Sequence, residues 1–142
     1  MRKNLDLKET QDKIKLIKKQ GIMVTGFFIL GYPTETREEM LQTIAYAMNT
    51  SLDLANFMLF HPYQGTEVYE QVQLPQQGGS ESTFAEVAYV PEGFTESKIK
   101  NMQRYAFILF YLRPKILFHL LQLLCKMQGK RYVFRRIFRW LF

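Results

Sequence analysis

The sequence predicts an α/β chain organised around parallel strands. Residues 22–30 (IMVTGFFIL) and 54–60 (LANFMLF) are almost unbroken apolar runs of strand length. A strand with one wet face alternates, so such runs point to strands covered on both faces, as in a parallel sheet. A helical pattern precedes each run, and strands alternating with helices imply parallel pairing through right-handed crossovers. Both runs stop abruptly, at Gly31-Tyr32-Pro33 and at His61-Pro62.

The first helix is expected over residues 7–20. Asp6 can cap it, and Glu9 stands three residues on, where it can reach back as in a capping box. Leu7, Ile14 and Ile17 share a face, and lysines line the rest. Gly21 suits the left-handed position after a last helical turn. The first strand follows over Ile22–Leu30. Pro33 ends it because it has no amide hydrogen to donate and biases Tyr32 away from helix. Thr36 and Glu39 match the S/T-x-x-E capping box of a second helix over 37–49, with Met40, Leu41, Ile44, Ala45 and Met48 as its apolar stripe. The second strand is expected over Leu54–Phe60, the loop His61–Thr66 closes it, and Glu67–Gln71 can form one helical turn. Two strands do not make a stable sheet alone, and each leaves an apolar edge bare.

Three regions follow from this pattern: an α/β unit over 1–72, a linker over 73–94 and a helical, basic, aromatic-rich region over 95–142. The linker begins QLPQQGGSEST, and residues 84–90 read as a short extended piece. Thr95 opens a long helix over about 96–112, which Pro114 breaks or kinks. A further helix is expected to about Met127, and YVFRRIFRWLF closes the chain.

Charge is unevenly spread. Residues 21–97 hold one basic and ten acidic side chains, whereas residues 98–142 hold eleven basic and none acidic. The net charge of +6 therefore describes the ends, and the C-terminal region suits an anionic partner. The single cysteine, Cys125, excludes a disulfide framework and favours a reducing, cytoplasmic setting. Lacking an apolar core behind its charges, the N-terminal stretch does not read as a signal peptide. Arg113, Pro114 and Lys115 interrupt the apolar run between Tyr105 and Cys125, so no span of about 20 residues forms there. Residues 132–142, with aromatics on one side and arginines on the other, read instead as an interfacial helix at the inner membrane surface. No recognised nucleic-acid motif accompanies the basic residues, so a nucleic-acid partner is not expected.

The run GFFILGYPTET, a capped helix and then NFMLFHPYQGTEVYE resembles the later half of a radical S-adenosylmethionine enzyme, most closely the subgroup with a cobalamin (B12)-binding domain. RKNLDLKETQDKIKLIKKQGI fits the helix before that strand, and QRYAFILFYLRPK resembles the segment after the barrel. Thr34 departs from the glycine usual at its position. The resemblance implies the C-terminal portion of a partial (β/α) TIM-like barrel, helix-strand-helix-strand, followed by a helical tail. It implies that Phe28, Ile29, Leu30, Gly31, Phe60, His61, Pro62 and Tyr63 stand where the family holds the adenosine side of S-adenosylmethionine. In the family a C-x-x-x-C-x-x-C loop carries a [4Fe-4S] cluster, which cleaves S-adenosylmethionine to an adenosyl radical, with cobalamin relaying a methyl group in this subgroup. One cysteine cannot supply three thiolates. The expectation is therefore a fragment whose partners are the missing N-terminal barrel half and the cobalamin domain. By itself it is expected to bind no cluster or other metal and to be inactive. The parent reaction would be methyl transfer or carbon-skeleton modification, with lipid-like or other hydrophobic substrates.

Plainer roles stand beside these. Glu35 is either a ligand contact or a first-turn acid favoured by the helix dipole. Thr36 reads as a cap. Tyr63 and Thr66 line the second loop, where Tyr63 either stacks on a ligand or packs within the loop. His61 is either a ligand contact or a loop histidine bonded to backbone, while His119 and Cys125 read as structural. The aromatic stripe of the C-terminal region suits packing against the α/β unit. Two alternatives to the fragment remain: a non-catalytic membrane-surface or protein-interaction module, and one half of a split enzyme.

Overall fold

The computed structural model describes residues 5–72 and 87–118. The elements are α1 (Leu7–Lys19), β1 (Thr25–Leu30), α2 (Arg37–Asn49), β2 (Leu54–Leu59), α3 (Glu67–Gln71) and α4 (Glu96–Tyr111). Residues 114–118 are again helical after a turn at Leu112 and Arg113. The strands pair in parallel, with Phe28 opposite Phe57 and Leu30 opposite Leu59. This is a mixed α/β fold with a two-stranded parallel sheet.

Local chemistry sets most boundaries. The Asp6 carboxylate accepts from the amides of Lys8 and Glu9, but Glu9 does not return the bond. It pairs with Lys13 one turn on, at 2.7 Å, so the first helix has only half of the expected box. The reciprocal box forms at α2, where Thr36 and Glu39 exchange both bonds. The Thr36 amide and hydroxyl together hold the Glu39 carboxyl below the usual range. Thr66 and Thr95 cap α3 and α4. Gly21 takes φ +75°.

Three expectations change. In α2 the buried positions are Met40, Ile44 and Ala47, while Ala45 is exposed. The first strand is shorter than the apolar run, since Ile22 and Met23 lie outside it and are exposed. And among the described residues the strands are covered on one face only. Gly26, Phe28, Leu30, Ala55 and Phe57 face the helices; on the other side Phe27 is 66% exposed and Ile29 39%. The reason is that α2 and α4 both lie on the same side, and no described residue covers the other. Residues 84–86 fall outside the described residues, as do the remainder of the linker back to 73, His119, Cys125 and the stretch 132–142. Residues 87–90 take no regular structure.

Phe57 is the centre of the core. It stacks on Phe28 at 5.3 Å and meets Phe107 and Phe110 edge-on at 5.4 and 6.2 Å. The stripe of α4 is thus core, as the sequence suggested. Gly26 permits this closeness, because a Cβ there would lie 2.6 Å from Leu52 Cδ1. At the opposite end, buried Asp53 accepts from the Val24 amide at 2.8 Å and pairs with Lys18, tying α1 to the sheet. Arg113 donates to the carbonyls of Phe110 and Met48, so one cation joins the C-terminal ends of α4 and α2.

Side chains of α4 take part of the far edge of β2. The Tyr111 hydroxyl donates to the Ala55 carbonyl at 2.9 Å and accepts from the Ala55 amide at 3.3 Å. Gln103 donates to the Phe57 carbonyl at 2.8 Å. Burial pushes the Tyr111 phenol above its ordinary pKa. Tyr111→Phe should leave both Ala55 groups without their partner and cost about 1–3 kcal/mol, measured by urea unfolding. An unchanged midpoint would mean that water replaces the hydroxyl at no loss.

Candidate functional site

The carboxyl ends of β1 and β2 lie side by side. The pairing continues one step beyond the strands, where the Phe60 amide donates to the Leu30 carbonyl at 2.8 Å. The loop after β1 then packs on the loop after β2 through Tyr32 and Phe60, whose rings meet edge-on at 5.0 Å. Residues 87–94 cross these ends: Tyr89 stands edge-on to Phe60 at 6.0 Å, and Pro91 lies against Gly31.

Gly31 is the hinge of this corner. Its φ is +82°, and an added Cβ would sit 3.1 Å from Ile99 Cδ1 and 3.5 Å from Pro91 Cγ. The left-handed backbone and the crowding both require glycine. Glu35 fixes the turn from below. One carboxylate oxygen accepts from the Gly31 amide at 2.7 Å and the Tyr32 amide at 3.2 Å, and the Glu35 amide donates back to the Tyr32 carbonyl. Glu35 is therefore a clasp for its own loop, a role beyond the two that its sequence position suggested. Burial pushes its carboxyl above the ordinary range, and the Gly31 and Tyr32 amides only partly oppose that.

The residues singled out from sequence divide by face. Leu30 is fully buried toward the helices, and Phe28 packs between Phe57 and Tyr46. At the strand end these two can offer only backbone to a ligand. Ile29 projects from the bare face. Phe60 and His61 are half-buried at the rim, and Pro62 is buried. Tyr63 is 66% exposed, with its ring 5.0 Å from that of His61. Asn56 was not singled out. It is half-exposed on the bare face opposite Phe27, and its side chain has no hydrogen bond among the described residues. Its signal was available, as the one amide inside an apolar strand. No cluster of three potential metal ligands occurs among the described residues.

The chain is 35% identical over 119 residues to a protein of Pyrococcus horikoshii named as an uncharacterized methyltransferase, an alignment covering 81% of this chain and 26% of the relative. It is 30% identical over 101 residues to a protein of Methanocaldococcus jannaschii named as a methylthiotransferase, covering 70% and 22%. It is also 25% identical over 119 residues to the anaerobic magnesium-protoporphyrin IX monomethyl ester cyclase of Cereibacter sphaeroides, covering 82% and 19%. The chain thus spans about a quarter or less of each relative's length. No family model and no solved structure matches it.

Two outcomes test this geometry. Glu35→Ala should lower stability by about 1–3 kcal/mol, since two amides lose their acceptor, whereas Glu35→Gln should retain most of the difference. Because the folded Glu35 carboxyl titrates above its ordinary 4.5, ionisation opposes folding. Its contribution is full below the unfolded value and declines as pH rises through the folded one. Stability of the wild-type chain should therefore fall more over that interval than that of Glu35→Gln, as read from urea midpoints against pH. Separately, Gly31→Ala should cost at least about 1–2 kcal/mol from the left-handed backbone alone.

Proposed function

We propose that this chain forms the last two strand units of a partial (β/α) barrel in a radical S-adenosylmethionine enzyme, where it supplies the adenosine-side wall of the cofactor pocket. The observation that carries the reading is the corner itself: two parallel strands ending together, with a glycine turn and an aromatic loop fastened across their ends. The ordered motifs and three relatives named for methyl transfer, methylthio transfer and cyclisation support it. Catalytic sites of strand–helix barrels lie at this end of the strands.

The residues fit one portion of the cofactor. Ile29 and Phe60 offer apolar surface at the rim for an adenine face, and His61 and Asn56 offer polar atoms nearby. The amides of Gly31 and Tyr32 are already engaged by Glu35, so recognition of the adenine edge falls to the Phe60–Tyr63 loop. The chain does not fit the iron–sulfur cluster, which needs three thiolates, and no step through the cluster is assigned to it. When bound, the cofactor supplies a radical or methyl group. This chain's part is to hold its nucleoside and keep water from the strand ends. Cobalamin use and a hydrophobic substrate fit the methyl-transfer reading and the apolar bare face. A half encoded separately and assembled in trans suits the same bare face, and co-purification with a cysteine-rich partner identifies that case.

The reading frame before Met1 is the direct test. A C-x-x-x-C-x-x-C segment in frame is expected, and a stop codon with no such segment nearby removes the fragment reading. Anaerobic reconstitution of the 142-residue chain should yield no iron and sulfide at cluster stoichiometry. In the joined protein, Ile29→Arg should weaken S-adenosylmethionine binding about tenfold or more, a loss of roughly 1.4 kcal/mol, while cluster iron is retained. Unchanged affinity would remove Ile29 from the pocket.

A further inference from the structure

The outward side of α4 does not have the surface of an ordinary solvated helix. Lys98, Asn101, Tyr105, Ile108 and Leu112 follow one another at spacings of three and four, and all are exposed. Tyr105 is 48% exposed, Ile108 45% and Leu112 66%; after the turn, Leu117 is 47% and Phe118 63%. The inward side, with Ile99, Met102, Ala106, Phe107 and Phe110, is already buried in the core. An amphipathic helix has one apolar stripe to bury. This one has a second, over its C-terminal half.

The charge around that stripe has one sign. Residues 98–118 contain five basic side chains and no acidic one. Arg104 and Lys115 are exposed, and Glu96, at the helix start, is taken by Lys100 at 2.5 Å. The stripe also runs into a cleft between α2 and α4 of about 750 Å³, lined by Arg37, Leu41, Phe94, Lys98, Met102 and Tyr105 among others, with no carboxylate in its lining. Neither Arg37 nor Lys98 forms an ion pair with a described carboxylate.

We propose that the outward side of α4 is a docking surface for an anionic lipid bilayer, with the α2–α4 cleft taking a lipid phosphate between Arg37 and Lys98. A bilayer supplies both chemistries, a phosphate plane for the cations and acyl chains for Tyr105, Ile108, Leu112 and Phe118. A nucleic acid would use the cations and leave these four aliphatic and aromatic side chains in water. An uncharged apolar partner would leave Arg37 and Lys98 facing nothing. The surface is distinct from residues 132–142, and it does not depend on the enzymatic reading above.

The test is co-sedimentation of the full 142-residue chain with vesicles of phosphatidylglycerol and phosphatidylcholine, compared with phosphatidylcholine alone. Binding should require the anionic lipid and weaken with salt. Ile108→Glu with Leu112→Glu should reduce binding about tenfold or more, and Arg37→Gln with Lys98→Gln should reduce it about tenfold. All four positions are exposed, and circular dichroism checks that the variants fold; Ile108→Ser with Leu112→Ser serves if the glutamates perturb the helix. Three results overturn the proposal: equal binding to neutral vesicles, binding untouched by the Ile108 and Leu112 changes, or concentration-dependent self-association abolished by those changes without vesicle binding. Loss with the Ile108 pair but none with the Arg37 pair overturns the phosphate cleft.

Discussion

Tyr111 gives Ala55 what a neighbouring strand would give it, one acceptor and one donor. Much of the architecture depends on that substitution of a side chain for a strand. The residues of β2 that point away from β1 would otherwise present bare amides and carbonyls, and an open strand edge invites another chain. Gln103 supplies half of the same device at Phe57, donating to its carbonyl. Both side chains come from α4, which also covers the face of β2 through Phe107 and Phe110. One helix therefore takes part of the edge and one face of the same strand. The other edge of β1 pairs with no described residue.

That asymmetry gives the strand ends their stiffness. The turn after β1 is held by Glu35 from its own loop, by Pro91 and Ile99 from outside and by Phe60 across the strands. Burial removes water from the Glu35 carboxylate and so raises its pKa, although the two amide bonds, which stabilise the charged form, oppose the rise. Rigid backbone at a strand end is what a binding corner needs, since a contact placed by a loose loop must first be ordered. The bare face beside it is different in kind. Phe27, Ile29 and Met58 would meet other side chains, and Asn56 among them is the one group able to give a direction to a ligand or to substrate.

How far this was legible in the sequence depends on the range of each interaction. Asp6, Thr36 and Thr95 all cap helices as their spacing indicated, because a cap is decided within four residues, whereas Thr66, read only as a loop residue, proves to cap α3. Gly21 is similarly local. The exchange of Ala45 for Ala47 in α2 came from not knowing which side the sheet would lie on. The expectation of two covered faces came from an apolar run whose second cover is not among the described residues. Tyr111, Gln103 and Arg113 were invisible as fasteners, since their partners lie 56, 46 and 65 residues away. Glu35 was the intermediate case. Its position suggested either a ligand contact or a dipole effect, and only the fold revealed two amides within its reach.

The surfaces that remain open have different chemistry and do not compete. The helices occupy one side of the sheet, so the bare strand face looks away from them, and the outward side of α4 looks away from the sheet. A partner laid on the bare face would cover Phe27 and Ile29 without touching Ile108 or Leu112. Contact of α4 with an anionic surface would in turn leave the strand ends and Asn56 free. The two proposals are independent in their tests because α2 and α4 stand between the surfaces they invoke: the basic, apolar outer side of α4 on one side and the apolar strand face on the other.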